Sequence, residues 1–318
     1  MEKEINLIKD KSIGSLIGLA IGDALGTTLE FKHRDTTEKI TDIVGGGVFE
    51  LEAGEWTDDT SMALCLAMSI IKTGFDPKDQ MDNYLKWYRE GYLSSNGRCF
   101  DIGLTVRYAL IEYDETKKFY AGKTDEQSAG NGSLMRIAPV PIAFRCDCED
   151  IKSEKFNNLI NNAKNSSRTT HGENRCIEAC VAYSLMINKA INNKTKEEIL
   201  NFSQEEKDLF KEEDILNIIN GSYKNKIRDQ IKSSGFVIDT LEAALWSFYN
   251  TNNFEDSIIL SANLAHDSDT VAAICGQLSG AFYGLQGIPE KWIKKIKYSE
   301  RIIAIANELY KISIRGKI

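Results

Sequence analysis

Glycine recurs at every fourth position through the first apolar stretch, "IGSLIGLAIGDALGTTLEF", at residues 14, 18, 22 and 26, and Glu30 continues the row. An α-helix with 3.6 residues per turn sets these positions along one ridge. Each glycine costs a helix interior roughly 0.8–1 kcal/mol relative to alanine. Four on one ridge are tolerated when another helix or a ligand approaches the backbone closely. Asp23 lies in the same apolar helix, so it needs a buried partner or a mouth onto a cleft.

Helical periodicity continues almost everywhere. It predicts helices over 12–31, 60–73, 77–90, 101–113, 133–144, 154–165, 173–192, 206–220, 235–250, 254–263, 269–285 and 289–312. Gly74, Gly91, Gly221 and Gly287 read as C-terminal stops. The most strand-like fragment, "ITDIVGGGVFEL", carries three glycines and reads as a loop. The expected fold is all-α, a single compact globule over residues 1–318. The lysine-rich segment at about 191–232 has a sparser apolar stripe and is expected as an exposed helical excursion.

A net charge of −8 argues against a nucleic-acid footprint, which needs a clustered basic face. Acids and glycines interrupt the N-terminal apolar stretch, so it does not read as a signal peptide, and no run of eighteen apolar residues suggests a membrane span. The seven cysteines are scattered, several within apolar helical runs, and read as reduced thiols of a cytoplasmic protein. Cys146 and Cys148 form a C-D-C turn without a second pair nearby, which favours a structural over a metal role. A monomer is expected.

Two segments carry the chemistry. "WTDDTSMALCLAMSII" places Thr57 at an N-cap position with Asp58 and Asp59 in the first turn; "HDSDTVAAICGQLSG" places Asp267, Asp269 and Thr270 likewise on a late helix. Capping and the helix dipole, worth ~0.3–1 kcal/mol, account for one acid per helix, whereas adjacent acids add repulsion. Brought together, the four aspartates and two further oxygens make an all-oxygen site for two divalent cations, Mg²⁺ or Mn²⁺, roughly 3.5–4 Å apart. In "SAGNGSLMRIAPVPIAF", Gly130, Asn131 and Gly132 precede Ser133 in a turn that could aim N–H groups at an anion. His171 precedes a helix and could be a capping residue as well as a site residue. Asp101, also before a helix, reads by itself as an N-cap.

Five segments in this order, "GLAIGDALGTTLEF", "GEWTDDTSMAL", "CFDIGLTVRYAL", "SAGNGSLMRIAPVP" and "NLAHDSDTVAAICGQLSGAFYG", resemble the ADP-ribosylglycohydrolase family of the dinitrogenase-reductase-activating type. The resemblance implies an orthogonal multi-helix fold with a binuclear Mg²⁺ or Mn²⁺ centre. It makes Thr57, Asp58, Asp59, Asp267, Asp269 and Thr270 the metal ligands, and Glu30 the acid that reaches toward the metals and the scissile ribose. It makes Gly130 to Ser133 the diphosphate cradle, places His171 along the ADP-ribose cleft, and puts Asp101 near the leaving group. The family commonly has glycine before the first aspartate of the late motif, where this chain has Ala265 and His266; a histidine there could tune a bound water or crowd a ligand.

The implied activity is removal of mono-ADP-ribose from a modified side chain. Arginine is the first choice, because Asp101 could accept hydrogen bonds from a guanidinium, and serine the second. Some bacterial relatives are immunity proteins against ADP-ribosylating toxins, and such a role is open here. The partners are then an ADP-ribosylated protein or ADP-ribose. Two alternatives stand beside this reading: a non-catalytic protein that binds ADP-ribose or a toxin, and a two-metal hydrolase attacking the diphosphate of a free nucleotide.

Overall fold

A computed structural model describes residues 2–147 and 150–315; Cys148, half of the C-D-C turn, lies outside the described residues. The helices are α1 (Glu2–Gly26), α2 (Asp58–Thr73), α3 (Pro77–Glu90), α4 (Leu104–Thr116), α5 (Pro139–Ala143), α6 (Glu154–Arg168), α7 (Asn174–Ile191), α8 (Lys196–Leu200), α9 (Gln204–Lys207), α10 (Glu213–Ile219), α11 (Val237–Tyr249), α12 (Phe254–Ala262), α13 (Ser268–Tyr283), α14 (Glu290–Lys295) and α15 (Ser299–Ile314). Among the described residues no strand forms, only isolated bridges such as Glu30 to His266, Lys123 to His171 and Gly130 to Phe236. The fold is all-α, as expected.

The glycine ridge is the seam of two helices. A Cβ on Gly14, Gly18, Gly22 or Gly26 would lie 2.3, 2.4, 2.1 or 2.4 Å from the carbonyl oxygen of Gly280, Gly276, Ala272 or Ser268 respectively. The α1 numbers rise by four as the α13 numbers fall by four, so the helices run antiparallel in register. Contact is reciprocal, since a Cβ on Gly276 would meet the Gly18 carbonyl at 2.1 Å. Ser15 Oγ donates to Gln277 O at 3.0 Å, and Ser268 Oγ to Gly26 O at 2.8 Å, which satisfies hydroxyls along the seam. The residues Ser268–Ala281 are all buried, and α13 also packs against α7, α11 and α12. The stretch Asn6–Leu29 is long and apolar enough by composition to cross a bilayer, contrary to the sequence expectation. Its most apolar window is 94% buried inside the protein, so it acts here as a core helix.

Several boundaries differ from the periodicity. The 133–144 helix shrinks to Pro139–Ala143, because 131–136 turns tightly around the site and Pro139 begins a new helix. The 289–312 helix breaks before Ser299, where Tyr298 takes φ +58°. The 206–220 helix divides into α9 and α10. The stop after α13 is Gly284, at φ +74°, rather than Gly287. Over 191–232, Ile199, Phe202, Phe210, Ile215, Ile219 and Tyr223 are buried and join the common core. The buried pair Lys189–Glu206, 2.9 Å apart, ties α9 to α7.

Candidate active site

The start of α2 is held from another helix. Asp23, fully buried on α1, accepts from Thr57 N and Thr57 Oγ1 through Oδ1, both at 2.9 Å. Its Oδ2 accepts from Thr60 N at 3.0 Å and Thr60 Oγ1 at 2.6 Å. Asp23 thus satisfies N–H groups that a local cap would otherwise serve. Thr57 stands at the N-cap position but makes no side-chain cap, and neither does Asp267 at the start of α13. The capping explanation for the two acidic motifs therefore fails on geometry: their side chains face each other instead. Thr57 Oγ1 lies 3.3 Å from Asp59 Oδ2 and 3.4 Å from Asp269 Oδ2.

The seam brings the two motifs together. One carboxylate oxygen each from Asp23, Asp59 and Asp269 lie within 4.8 Å of one another, as do oxygens from Glu30, Asp267 and Asp269, so Asp269 belongs to both groups. Asp59 Oδ1 is buried and has no hydrogen-bond partner. Burial pushes the acids up, alone for Asp23 and with neighbouring carboxylates adding to it for Asp58, Asp59 and Asp269. Asp269 is pushed to about 7 and Asp23 to about 6; Asp58 and Asp59 are pushed well above their usual range by burial first and then by Asp269 and Asp23. An orphaned buried carboxylate oxygen within a converging all-oxygen donor set fits a hard divalent cation.

A cleft of about 650 Å³ opens above these acids, lined by Glu30, Asp58, Asp101, Asp267, Asp269 and Thr270. Thr57 and Asp59 are buried beside it rather than in its lining. The bridge to His266 positions Glu30: Phe31 N donates to His266 O at 2.7 Å, and His266 N to Lys32 O at 2.9 Å. Glu30 Oε2 accepts from Ser268 N at 2.8 Å. Burial, then Asp269 and Asp267, raise its pKa far above the usual carboxylate range. Asp101 is not an N-cap. It sits before the start of α4 with φ +58°, Gly103 takes the N-cap position, and the Asp101 side chain lines the cleft. Burial, then Asp269 and Asp58, push it to about 11.

The opposite wall is the Gly130–Ser133 turn. Gly130 N donates to Ser128 O at 2.9 Å and Asn131 N to Gly235 O at 3.1 Å. Those N–H groups serve the fold, which among the turn residues lining the cleft leaves the Gly132 N–H open to an anion; Ser133 does not line it. Asn131 Nδ2 donates to Asp267 Oδ2 at 2.8 Å, orienting one acid. The Ser133 side chain points away from the cleft, its Oγ 2.9 Å from Ser167 Oγ, because Ser133 is wholly buried beneath the turn. His171 lines the cleft, with Nδ1 2.9 Å from Thr170 Oγ1. Burial first, then Arg136, lower its pKa to about 3, so it stays neutral. A Cβ on Gly132 would meet His171 Cε1 at 2.9 Å, so glycine lets the imidazole pack against the turn.

Sequence reasoning missed Arg136. It is fully buried, and its guanidinium donates to Gly132 O at 2.8 Å, Thr169 Oγ1 at 3.1 Å and Thr170 Oγ1 at 2.7 Å. It therefore joins the glycine turn to the His171 turn. The available signal was its position four residues after Gly132 in an otherwise apolar run. His266 is exposed on the rim, its ring edge-on to His33 at 5.4 Å. Ala265 and His266 take φ +58° and +61°, so glycine would be the unstrained residue at both positions.

An all-helical scaffold that gathers buried carboxylates under a cleft defines a hydrolase-type centre of oxygen ligands. The family model described as ADP-ribosylglycohydrolase matches residues 5–316, and the chain belongs to that family. It is 45% identical over 302 residues to the ADP-ribosylarginine hydrolase Tri1 of Pseudomonas putida (strain GB-1), covering 95% of this chain and 78% of that one. The protein of the same name from Serratia proteamaculans (strain 568) is also 45% identical over 302 residues, with 95% and 79% covered. The ADP-ribosyl-(dinitrogen reductase) glycohydrolase of Rhodospirillum rubrum is 28% identical over 302 residues, 91% of each chain. Among solved structures, a chain of an ADP-ribosylglycohydrolase-related protein complex superposes with a TM-score of 0.84 at 37% identity, covering 97% of this chain and 99% of that one.

Proposed function

We propose that this chain is a metal-dependent glycohydrolase that removes mono-ADP-ribose from arginine side chains of modified proteins. The observation that carries the reading is the double carboxylate group sharing Asp269 beneath the cleft, in a chain 45% identical to proteins named for the arginine linkage. Two Mg²⁺ or Mn²⁺ ions fit the donor set: Asp58, Asp59, Asp267, Asp269, Thr57 and Thr270 would hold them, with Asp23 fixing Thr57. Bound there, the ions would orient the ribose hydroxyls and a water and acidify that water. A reducing compartment such as the cytoplasm suits Cys65, Cys176, Cys180 and Cys275, which are buried thiols. The chain is read as one functional unit, working as a monomer.

The remaining chemistry belongs to the protein. Breaking the bond between ribose C1″ and a guanidine nitrogen builds positive charge on the ribose, which the surrounding carboxylates stabilise. Without metal, burial, Asp269 and Asp267 keep Glu30 protonated; with cations neutralising those two acids, Glu30, anchored by Ser268 N–H, would ionise and serve as the base that takes a proton from the attacking water. The water's oxygen bonds to C1″ as the bond from C1″ to nitrogen breaks, and the proton that Glu30 took from the water passes to the leaving guanidine nitrogen. Asp101 accepts hydrogen bonds from that guanidinium. The Gly132 N–H receives the diphosphate, with neutral His171 alongside.

The test is to incubate the protein with an arginine-ADP-ribosylated substrate, with Mg²⁺ or with EDTA, and identify products by mass spectrometry. Metal-dependent release of intact ADP-ribose is expected. AMP and ribose phosphate would indicate attack on the diphosphate instead. Binding of ADP-ribose without any release would leave a non-catalytic binder.

A further inference from the structure

Both acids at the mouth of the cleft carry a phenylalanine beside them in sequence: Phe31 follows Glu30, and Phe100 precedes Asp101. Phe31 and Asp101 each have φ +58°, so the chain turns sharply at both places in a conformation that costs an L-residue roughly 1–2 kcal/mol. Phe31 is 65% exposed and lines the cleft. Phe49, from the separate loop after Gly47, joins the two, its ring edge-on to Phe31 at 6.3 Å and to Phe100 at 5.5 Å. Three chain segments thus converge on an aromatic cluster of which Phe31 lines the acid-lined cleft, with Phe49 and Phe100 packed behind it. Packing does not explain the Phe31 ring, most of which faces solvent.

We infer that Phe31, backed by Phe49 and Phe100, forms an aromatic wall on which the guanidinium of an ADP-ribosylated arginine rests while Asp101 accepts its hydrogen bonds. This rests on the arginine reading proposed above and names what would select that linkage. A guanidinium is planar, delocalised and weakly hydrated, so it both stacks on aromatic rings and pairs with carboxylates. Phe31, most of whose ring is exposed in the cleft, offers the surface open to such a cation. A serine-linked substrate presents no cation to the wall, so the aromatic contribution would be confined to arginine.

The experiment uses the full chain with Mg²⁺ and compares wild type with Phe31→Ala, with the triple alanine variant of Phe31, Phe49 and Phe100, and with the triple tyrosine variant. KM for an arginine-ADP-ribosylated protein and the calorimetric Kd for free ADP-ribose are measured on each. KM should rise roughly three- to tenfold in the triple alanine variant, less in Phe31→Ala, and return toward wild type with tyrosine. The Kd for ADP-ribose should not move. An unchanged KM with active wild type overturns the proposal alone. A Kd that rises in step with KM also overturns it, by assigning the wall to the ADP-ribose moiety. Absence of wild-type turnover removes the arginine reading and this proposal with it. Phe31→Ala changes a largely solvated ring, so its result does not depend on the triple variants folding.

Discussion

Glu30 shows how one residue can be legible in type and illegible in role. Its place at the end of a glycine row marks it as unusual, since an acid ends an apolar ridge. Its protonation behaviour comes first from burial and then from Asp269 and Asp267, more than two hundred positions away, while the Ser268 N–H holds the side chain in place. Replacing it with glutamine keeps its size and removes the base. Glu30→Gln should lower turnover by about 10²–10⁴-fold and leave divalent-ion binding largely intact, as read by steady-state kinetics beside metal titration calorimetry. Wild-type turnover in that variant would exclude Glu30 from proton transfer. Asp23 is a complementary case. An acid in an apolar helix announces that it needs a partner, but that its partners are Thr57 and Thr60 depends on where α2 begins in space. Arg136 gave little warning, because one arginine in an apolar run looks the same whether its head reaches water or ties two turns together.

At the scale of elements, the seam between α1 and α13 positions the site. Its four glycines let backbones approach until a Cβ would overlap a carbonyl, and the close seam brings Glu30 to the start of α13 while Asp23 reaches the start of α2. Gly22→Ala would place a methyl 2.1 Å from Ala272 O, against backbone that cannot swing aside. The expected loss is about 1–3 kcal/mol of stability or more, measured as a lower denaturant midpoint, with weakened metal binding as the helices part. Gly103→Ala, whose Cβ would meet nothing within 4 Å, should stay within about 0.5 kcal/mol of wild type. An unchanged midpoint in Gly22→Ala would contradict the seam. The glycine spacing of α1 was readable, and its partner left a matching signal: Ser268, Ala272, Gly276, Gly280 and Gly284 form a small-residue row at the same four-residue spacing, but that the two rows face each other is set by tertiary packing. The prolines explain the misread 133–144 segment. Apolar content there suggested one helix, whereas Pro139 opens a short one and the residues before it must turn to carry Asn131 and Arg136.

For the whole molecule, gathering these carboxylates ties stability to pH and to metal. Asp23 and Asp269 have folded-state pKa values of about 6 and about 7 against a reference of 3.8. Between those values the folded state holds protons that the unfolded chain has released. The metal-free protein should therefore lose stability as pH rises from about 4 through about 7, and stay lower above that. A divalent cation offsets the repulsion only where the acids are ionised. The rise in Tm on adding Mg²⁺ or Mn²⁺ in place of EDTA should thus be larger at about pH 8 than at about pH 5. Equal shifts at both would argue against the buried acids as the metal site. By itself the sequence determined the helical class, through apolar spacing and the near absence of alternating segments. It also determined the two acidic motifs, because adjacent aspartates are unfavourable without a compensating cation. Tertiary structure alone decided that these motifs meet, that Asp23 rather than a local cap holds Thr57, that Ser133 faces inward, and that three phenylalanines from separate loops pack together beside the cleft. Local pattern follows from the periodicity of a helix, which a chain carries along its length. Convergence depends on the angle and register at which distant helices pack, which no local spacing encodes.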